Sequence, residues 1–88
     1  MEIKTREPVV VKYEDKEMTF IPGKLYRVKQ DAPGYFFDIF KKENAYIYLE
    51  QFDNPDDNCQ YCLFWGVSEK DEIALGNKYC IEHLEIND

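Results

Sequence analysis

Basic residues run out half-way along this chain. After residue 50 only Lys70 and Lys78 remain, against nine Asp and Glu; up to residue 50 nine Lys and Arg balance nine acids, so the whole net charge of −7 belongs to the C-terminal part. Such a surface repels phosphate backbones, which argues against direct nucleic-acid binding. No stretch approaches the roughly 20 apolar residues of a membrane span. The first residues, Met-Glu-Ile-Lys-Thr-Arg-Glu-Pro, carry no apolar signal-peptide core. The expected compartment is therefore the cytoplasm, where thiols stay reduced. The four glycines are scattered singly and form no phosphate-cradling loop. Three cysteines is an odd number, against a disulfide framework.

What remains is the composition of a folded protein. Hydrophobic residues make up 44% of the 88, and fourteen residues are Phe, Tyr or Trp. Aromatics bury large areas, so a few can build a small core. The length fits one domain, residues 1–88, that buries only about 60–65% of its unfolded surface. A metal or a partner subunit would help so thin a core.

Alternating apolar and polar residues dominate, the signature of strands. Residues 8–13 and 18–21 read as two strands, and Pro22-Gly23 as a type II turn, because Pro presets φ and Gly supplies a positive φ. Residues 25–28 form the next expected strand. After Pro33-Gly34, residues 35–40 and 45–49 flank Lys41-Lys42-Glu43-Asn44 as a hairpin. Residues 53–58 are turn-forming and acidic, 61–67 strand-like, 68–72 a charged turn and 73–75 a short strand. Residues 79–86 fit either a strand or a helix with Asn77 as N-cap. Five to seven short strands predict a mostly β fold, a small antiparallel barrel with a short C-terminal helix as an option. In pattern and size it resembles an SH3-like barrel.

The cysteines and the only histidine fall in two pairs, Cys59-Gln60-Tyr61-Cys62 and, seventeen residues later, Cys80-Ile81-Glu82-His83. Zinc takes four thiolate or imidazole ligands in a tetrahedron, and this spacing suits such a site. Residues 59–83 resemble a treble-clef zinc finger. The resemblance implies Cys59 and Cys62 as knuckle ligands, Cys80 and His83 as helix-start ligands, and a structural zinc. The alternative is that Cys62 and Cys80 fill the core as small hydrophobes. A redox role would need a helix N-terminus at the Cys-x-x-Cys, and a Cys80/His83 nucleophile would need an orienting group and an oxyanion hole; the sequence offers neither. The expectation is a protein that is not an enzyme.

Two surfaces follow from the pattern. The acidic one comprises Asp53, Asp56, Asp57, Glu69, Asp71 and Glu72, continued by Glu82, Glu85 and Asp88; it predicts attraction to a basic protein, such as one that itself binds nucleic acid. In size and charge the chain resembles small acidic phage proteins that disable host proteins, DNA mimics among them. The second is aromatic: alternation puts Tyr46 and Tyr48 on one face of the expected hairpin, a surface for a partner or a homodimer. The reading is thus a small acidic adaptor or inhibitor without membrane contact; the other reading is a zinc-stabilised structural module.

Overall fold

The computed structural model describes residues 7–38, 40, 41 and 44–87. Ile39, Lys42 and Glu43 of the expected hairpin, and Asp88 of the acidic set, lie outside them. Along the chain come β1 (Val9–Tyr13), β2 (Lys16–Phe20), β3 (Leu25–Val28), a 3-10 helix (Gly34–Asp38), β4 (Tyr46–Asn54), β5 (Cys59–Gly66), β6 (Asp71–Gly76), α1 (Asn77–His83) and β7 (Leu84–Ile86). The fold is mostly β. The strands form two sheets, a β1-β2 hairpin and a five-stranded sheet in the order β6-β5-β4-β3-β7, and every pairing is antiparallel. The larger sheet is open, with β6 and β7 at its edges. Among the described residues β1 and β2 pair only with each other, so the expected barrel does not close.

Turn chemistry sets the register. Lys24 N–H donates to Ile21 O across Pro22-Gly23, and Gly23 has φ 90°, the type II turn its residues predict. The turns at the two ends of β5 share one design. Asn58 N–H donates to Asn54 O, Lys70 N–H donates to Gly66 O, and Asn58 and Lys70 both sit at positive φ, 58° and 56°. Asn tolerates that conformation because its short polar side chain bonds locally; Lys70 has no such help. A bulge interrupts β4 between Tyr48 and Glu50, where Tyr48 and Leu49 are both buried.

Three expectations need correction. Residues 35–40 do not form a strand. Gly34–Asp38 is a 3-10 helix, and Phe40 N–H donates to Phe36 O. The two phenyl rings stack at 5.5 Å, so the four-residue spacing reflects a helical turn and not the alternation of a strand. Residues 79–86 are neither all helix nor all strand: α1 ends at His83 and β7 follows at once. Asn77 is the first residue of α1 and makes no side-chain cap; its amide is used in the core.

That core is a layer of rings between the hairpin and the sheet. Phe20 of β2 is fully buried. It stacks on Tyr48 at 5.0 Å, tilts against Tyr26 at 4.7 Å and meets Phe64 edge-on at 5.9 Å. Offset stacks and edge-to-face pairs add about 0.5–1.5 kcal/mol each beyond area burial. Phe40, beneath the 3-10 helix, continues the layer against Tyr46 and Phe64. Among the described residues no ladder joins the two sheets, and Phe20 and Val11 are the fully buried side chains that seat β1-β2 on this core. Phe20→Ala is expected to lower stability by about 3–5 kcal/mol, large against the ~5–15 kcal/mol of an ordinary domain. Urea unfolding followed by Trp65 fluorescence measures it; a loss under 1 kcal/mol would mean that the hairpin is held elsewhere.

Candidate functional site

Of the two Cys-x-x-Cys/His pairs, one member of each is brought together, Cys62 beside Cys80 in the core, while Cys59 lies apart from them at the surface. Cys59 and Cys62 stand three apart on β5, so they point to opposite faces of the sheet. Cys59 is exposed at the hairpin tip, whereas Cys62 is buried. The knuckle expected at 59–62 is straight strand. Cys80, on α1, is buried and its Sγ donates to Leu75 O at 3.6 Å. His83 lies against the rings of Phe36 and Tyr79, at 5.0 and 6.3 Å, with Glu82 Oε1 3.9 Å from Nε2. Among the described residues no three His, Cys, Asp or Glu side chains, those of Cys59, Cys62, Cys80 and His83 included, gather closely enough to hold a metal ion.

Cys62 and Cys80 instead belong to a buried polar cluster. Burial first, and then the neighbouring Cys62 thiol, pushes the Cys80 thiol far up. The Tyr48 hydroxyl, buried without a hydrogen-bond partner among the described residues, is likewise raised by burial and then by Cys62. Cys62 Sγ donates to Asn77 Oδ1 at 3.5 Å. Asn77 Nδ2 lies within hydrogen-bond distance of Lys12 O (3.0 Å), Gln51 Oε1 (3.1 Å) and Gln60 Oε1 (3.3 Å). A thiol kept neutral and enclosed is a poor nucleophile.

The acidic residues divide. Asp53, Asp56 and Asp57 sit at the β4–β5 turn; Glu69, Asp71 and Glu72 sit at the β5–β6 turn, and all six are exposed. Eight residues of β5 separate the groups, roughly 20–25 Å of strand. Some of the acids also serve the fold. Asp57 accepts from Cys59 N–H at 3.0 Å and from the Tyr61 hydroxyl at 2.6 Å, and the hydrogen bond from Tyr61 holds its carboxyl below the usual range. Glu69 accepts from the Tyr46 hydroxyl at 2.8 Å. Its side chain folds over Gly66, where a Cβ would meet Oε1 at 2.9 Å, so the missing side chain there makes room for the contact. Asp71 accepts from Glu72 N–H.

Tyr46 and Tyr48, expected on an exposed row, are fully buried. Residues 34–38 are a 3-10 helix and not the partner strand expected of them; β4 pairs with β3 and β5 instead, and Phe20 and Phe40 cover the Tyr48 and Tyr46 rings. A homodimer through that row therefore has no surface to use. No helix among the described residues is long and apolar enough to cross a membrane. Compared with protein families, curated proteins and solved structures, the chain finds no match. Sequence reasoning also missed a groove in which Lys12 and Lys78 meet, since its walls come from segments far apart in the chain.

Two measurements follow from these environments. Of the three thiols, Cys59 alone is expected to react with a disulfide reagent in the native protein, and Cys62 and Cys80 only after unfolding, whether or not chelator is present. Protection of Cys59 that a chelator relieves would restore the four-ligand zinc site. The second concerns alkali. Tyr46 is pushed from 10.0 up to about 12 by burial and by Glu69, and burial also raises Tyr26 and Tyr48. A raised tyrosine contributes stability that is complete below its unfolded value of 10.0 and is lost as pH climbs through about 12. Tyrosinate absorbance is expected to show the three buried rings ionising late, together with unfolding; early ionisation of all seven tyrosines would contradict it.

Proposed function

We propose that this chain is a non-catalytic binding protein, an adaptor or inhibitor, that presents its two acidic turns to a basic protein partner. The observation that carries the reading is the state of the carboxylates. Asp53, Asp56, Asp57, Glu69, Asp71 and Glu72 are all exposed, and among the described residues none is in an ion pair; the ion pairs there join Arg27 to Glu85 and His83 to Glu82. Uncompensated charge of one sign steers an oppositely charged surface and sets register more than it adds raw affinity. Two clusters about one strand-length apart suit a partner with two cationic patches or one extended stripe, which is the surface of many proteins that themselves hold nucleic acid.

Asp53, Asp56 and Glu72 accept no hydrogen bond from their own chain among the described residues, so they can be changed without disturbing the turns. The test uses a lysine-rich histone-type protein as probe. Neutralising Asp53, Asp56 and Glu72 to the corresponding amides is expected to weaken binding about tenfold or more, and affinity should fall steeply with added salt, as counterions screen exposed charges beyond ~10 Å at 0.1 M. An equal change at Glu14, Asp15 and Glu17, on and beside the β1–β2 turn, is expected to do little. Equal losses from both triple variants would reduce the effect to net charge, and a salt-insensitive complex would end the reading.

A further inference from the structure

A groove of about 500 Å³ opens where the end of β1, the start of β5 and the start of α1 meet. A second recess of about 350 Å³ adjoins it, and the two share Tyr61, Gly76 and Tyr79 as common walls. Each volume falls within the range of small-molecule sites, about 300–1,000 Å³. Among the described residues no Asp or Glu lines either recess. Two lysines do: Lys12 from β1 and Lys78 from α1, 66 positions apart in sequence and both exposed. Neither takes part in an ion pair among the described residues. On a protein of net charge −7 this is a local island of the opposite sign.

The rest of the lining narrows the ligand. Tyr13, Tyr61 and Tyr79 offer ring faces beside the lysines, and Tyr35 and Phe36 extend the apolar wall into the second recess. Lys78 Nζ already lies 5.9 Å from the centre of the Tyr79 ring, the distance of a cation–π contact. The Asn77 amide at the groove is occupied. Asn77 Nδ2 is committed to Lys12 O and to the side-chain oxygens of Gln51 and Gln60, and Asn77 itself is 5% exposed. The Tyr61 hydroxyl is spent on Asp57, the one carboxylate tied to the wall. Of the donors left at the groove, Gln60 Nε2 and the Tyr13 and Tyr79 hydroxyls are neutral, and the two ammonium groups carry the charge that favours an anion.

We propose that this groove binds a small organic anion carrying a flat aromatic ring, with Lys12 and Lys78 on the anionic head and the ring laid against Tyr61 and Tyr79. The proposal is independent of the acidic turns, because none of the six carboxylates proposed for the basic partner lines the groove. A charged head between two ammonium groups and a ring against tyrosine faces reinforce each other, so the joined molecule binds better than either part.

Phenyl phosphate is the probe, titrated into the isotopically labelled chain and followed by amide chemical shifts. Saturable shifts are expected at Lys12, Tyr13, Gln60, Tyr61, Lys78 and Tyr79, with phenol and inorganic phosphate each at least about tenfold weaker. Lys12→Gln with Lys78→Gln should weaken phenyl phosphate about tenfold or more, whereas the control pair Lys16→Gln with Lys24→Gln, also exposed, should leave it unchanged. Tyr79→Ala should weaken it while leaving the response to inorganic phosphate alone unaltered. Absence of saturable shifts at these residues would overturn the proposal. So would equal affinity for inorganic phosphate, the result for an adventitious ion only, or equal losses from both lysine pairs.

Discussion

Asn77 is the point through which the two sheets are joined by hydrogen bonds. It is the buried polar side chain of the described core, and its amide reaches β1 through Lys12 O, β4 through Gln51 and β5 through both Gln60 and Cys62. The rest of the described core between hairpin and sheet is apolar, with Phe20, Val11, Val9 and Met18 on the hairpin's side, and apolar burial is non-directional. A buried amide is directional: an unmet donor or acceptor costs about 1–3 kcal/mol. Apolar burial supplies most of the attraction and Asn77 chooses the register in which it is realised. The start of α1 follows from that choice, because an asparagine committed to the interior is not free to cap the helix it begins. Gly76 stands at the N-cap without a side-chain bond, so packing and not capping sets where α1 starts.

That commitment explains much of what could and could not be read in advance. Turns were legible, because their residues act on their own backbone. Pro22-Gly23 makes the type II turn it predicts, and the acidic runs at 53–58 and 68–72 do reverse the chain. The strand at 25–28 was legible for the same local reason. Asn77 was read as a cap because local chemistry favours that use, and only the return of β1 gave its amide a better one. Phe36 and Phe40 misled differently. Four residues apart is one face of a strand and also one turn of a helix, and only the space under β4 and β5 decides between them. The burial of Tyr46 and Tyr48 follows from that decision, since the missing strand leaves their face to Phe20 and Phe40.

The candidate sites depended still more on tertiary placement. Spacing grouped Cys59 with Cys62 and Cys80 with His83, but spacing counts residues along the chain and β5 is extended, so two cysteines three apart diverge. The alternative reading, that Cys62 and Cys80 pack as small hydrophobes, matches where they lie. Charge could be counted in the sequence but not located. The C-terminal excess is real, yet it is divided between two turns. The groove was invisible in the sequence because Lys12 and Lys78 become neighbours only when β1 folds across the start of α1.

The division of the acids has a physical consequence of its own. Crowded on one patch, six carboxylates would repel one another and weaken a thin core. Placed at opposite ends of β5, the two groups are roughly 20–25 Å apart, beyond the ~8 Å over which exposed charges act at physiological ionic strength. Within each group the repulsion is offset locally: Asp57 and Asp71 accept backbone N–H bonds, and Glu69 accepts from Tyr46. The length of β5 therefore lets the chain hold a net charge of −7 without stressing its ring layer. Between the two groups Glu50 lies on β4 opposite Leu63, and Lys12 and Lys78 line the groove where the start of β5 meets the start of α1. Separation of like charge along one strand thus keeps the fold stable and produces two acidic ends with a cationic recess beside one of them.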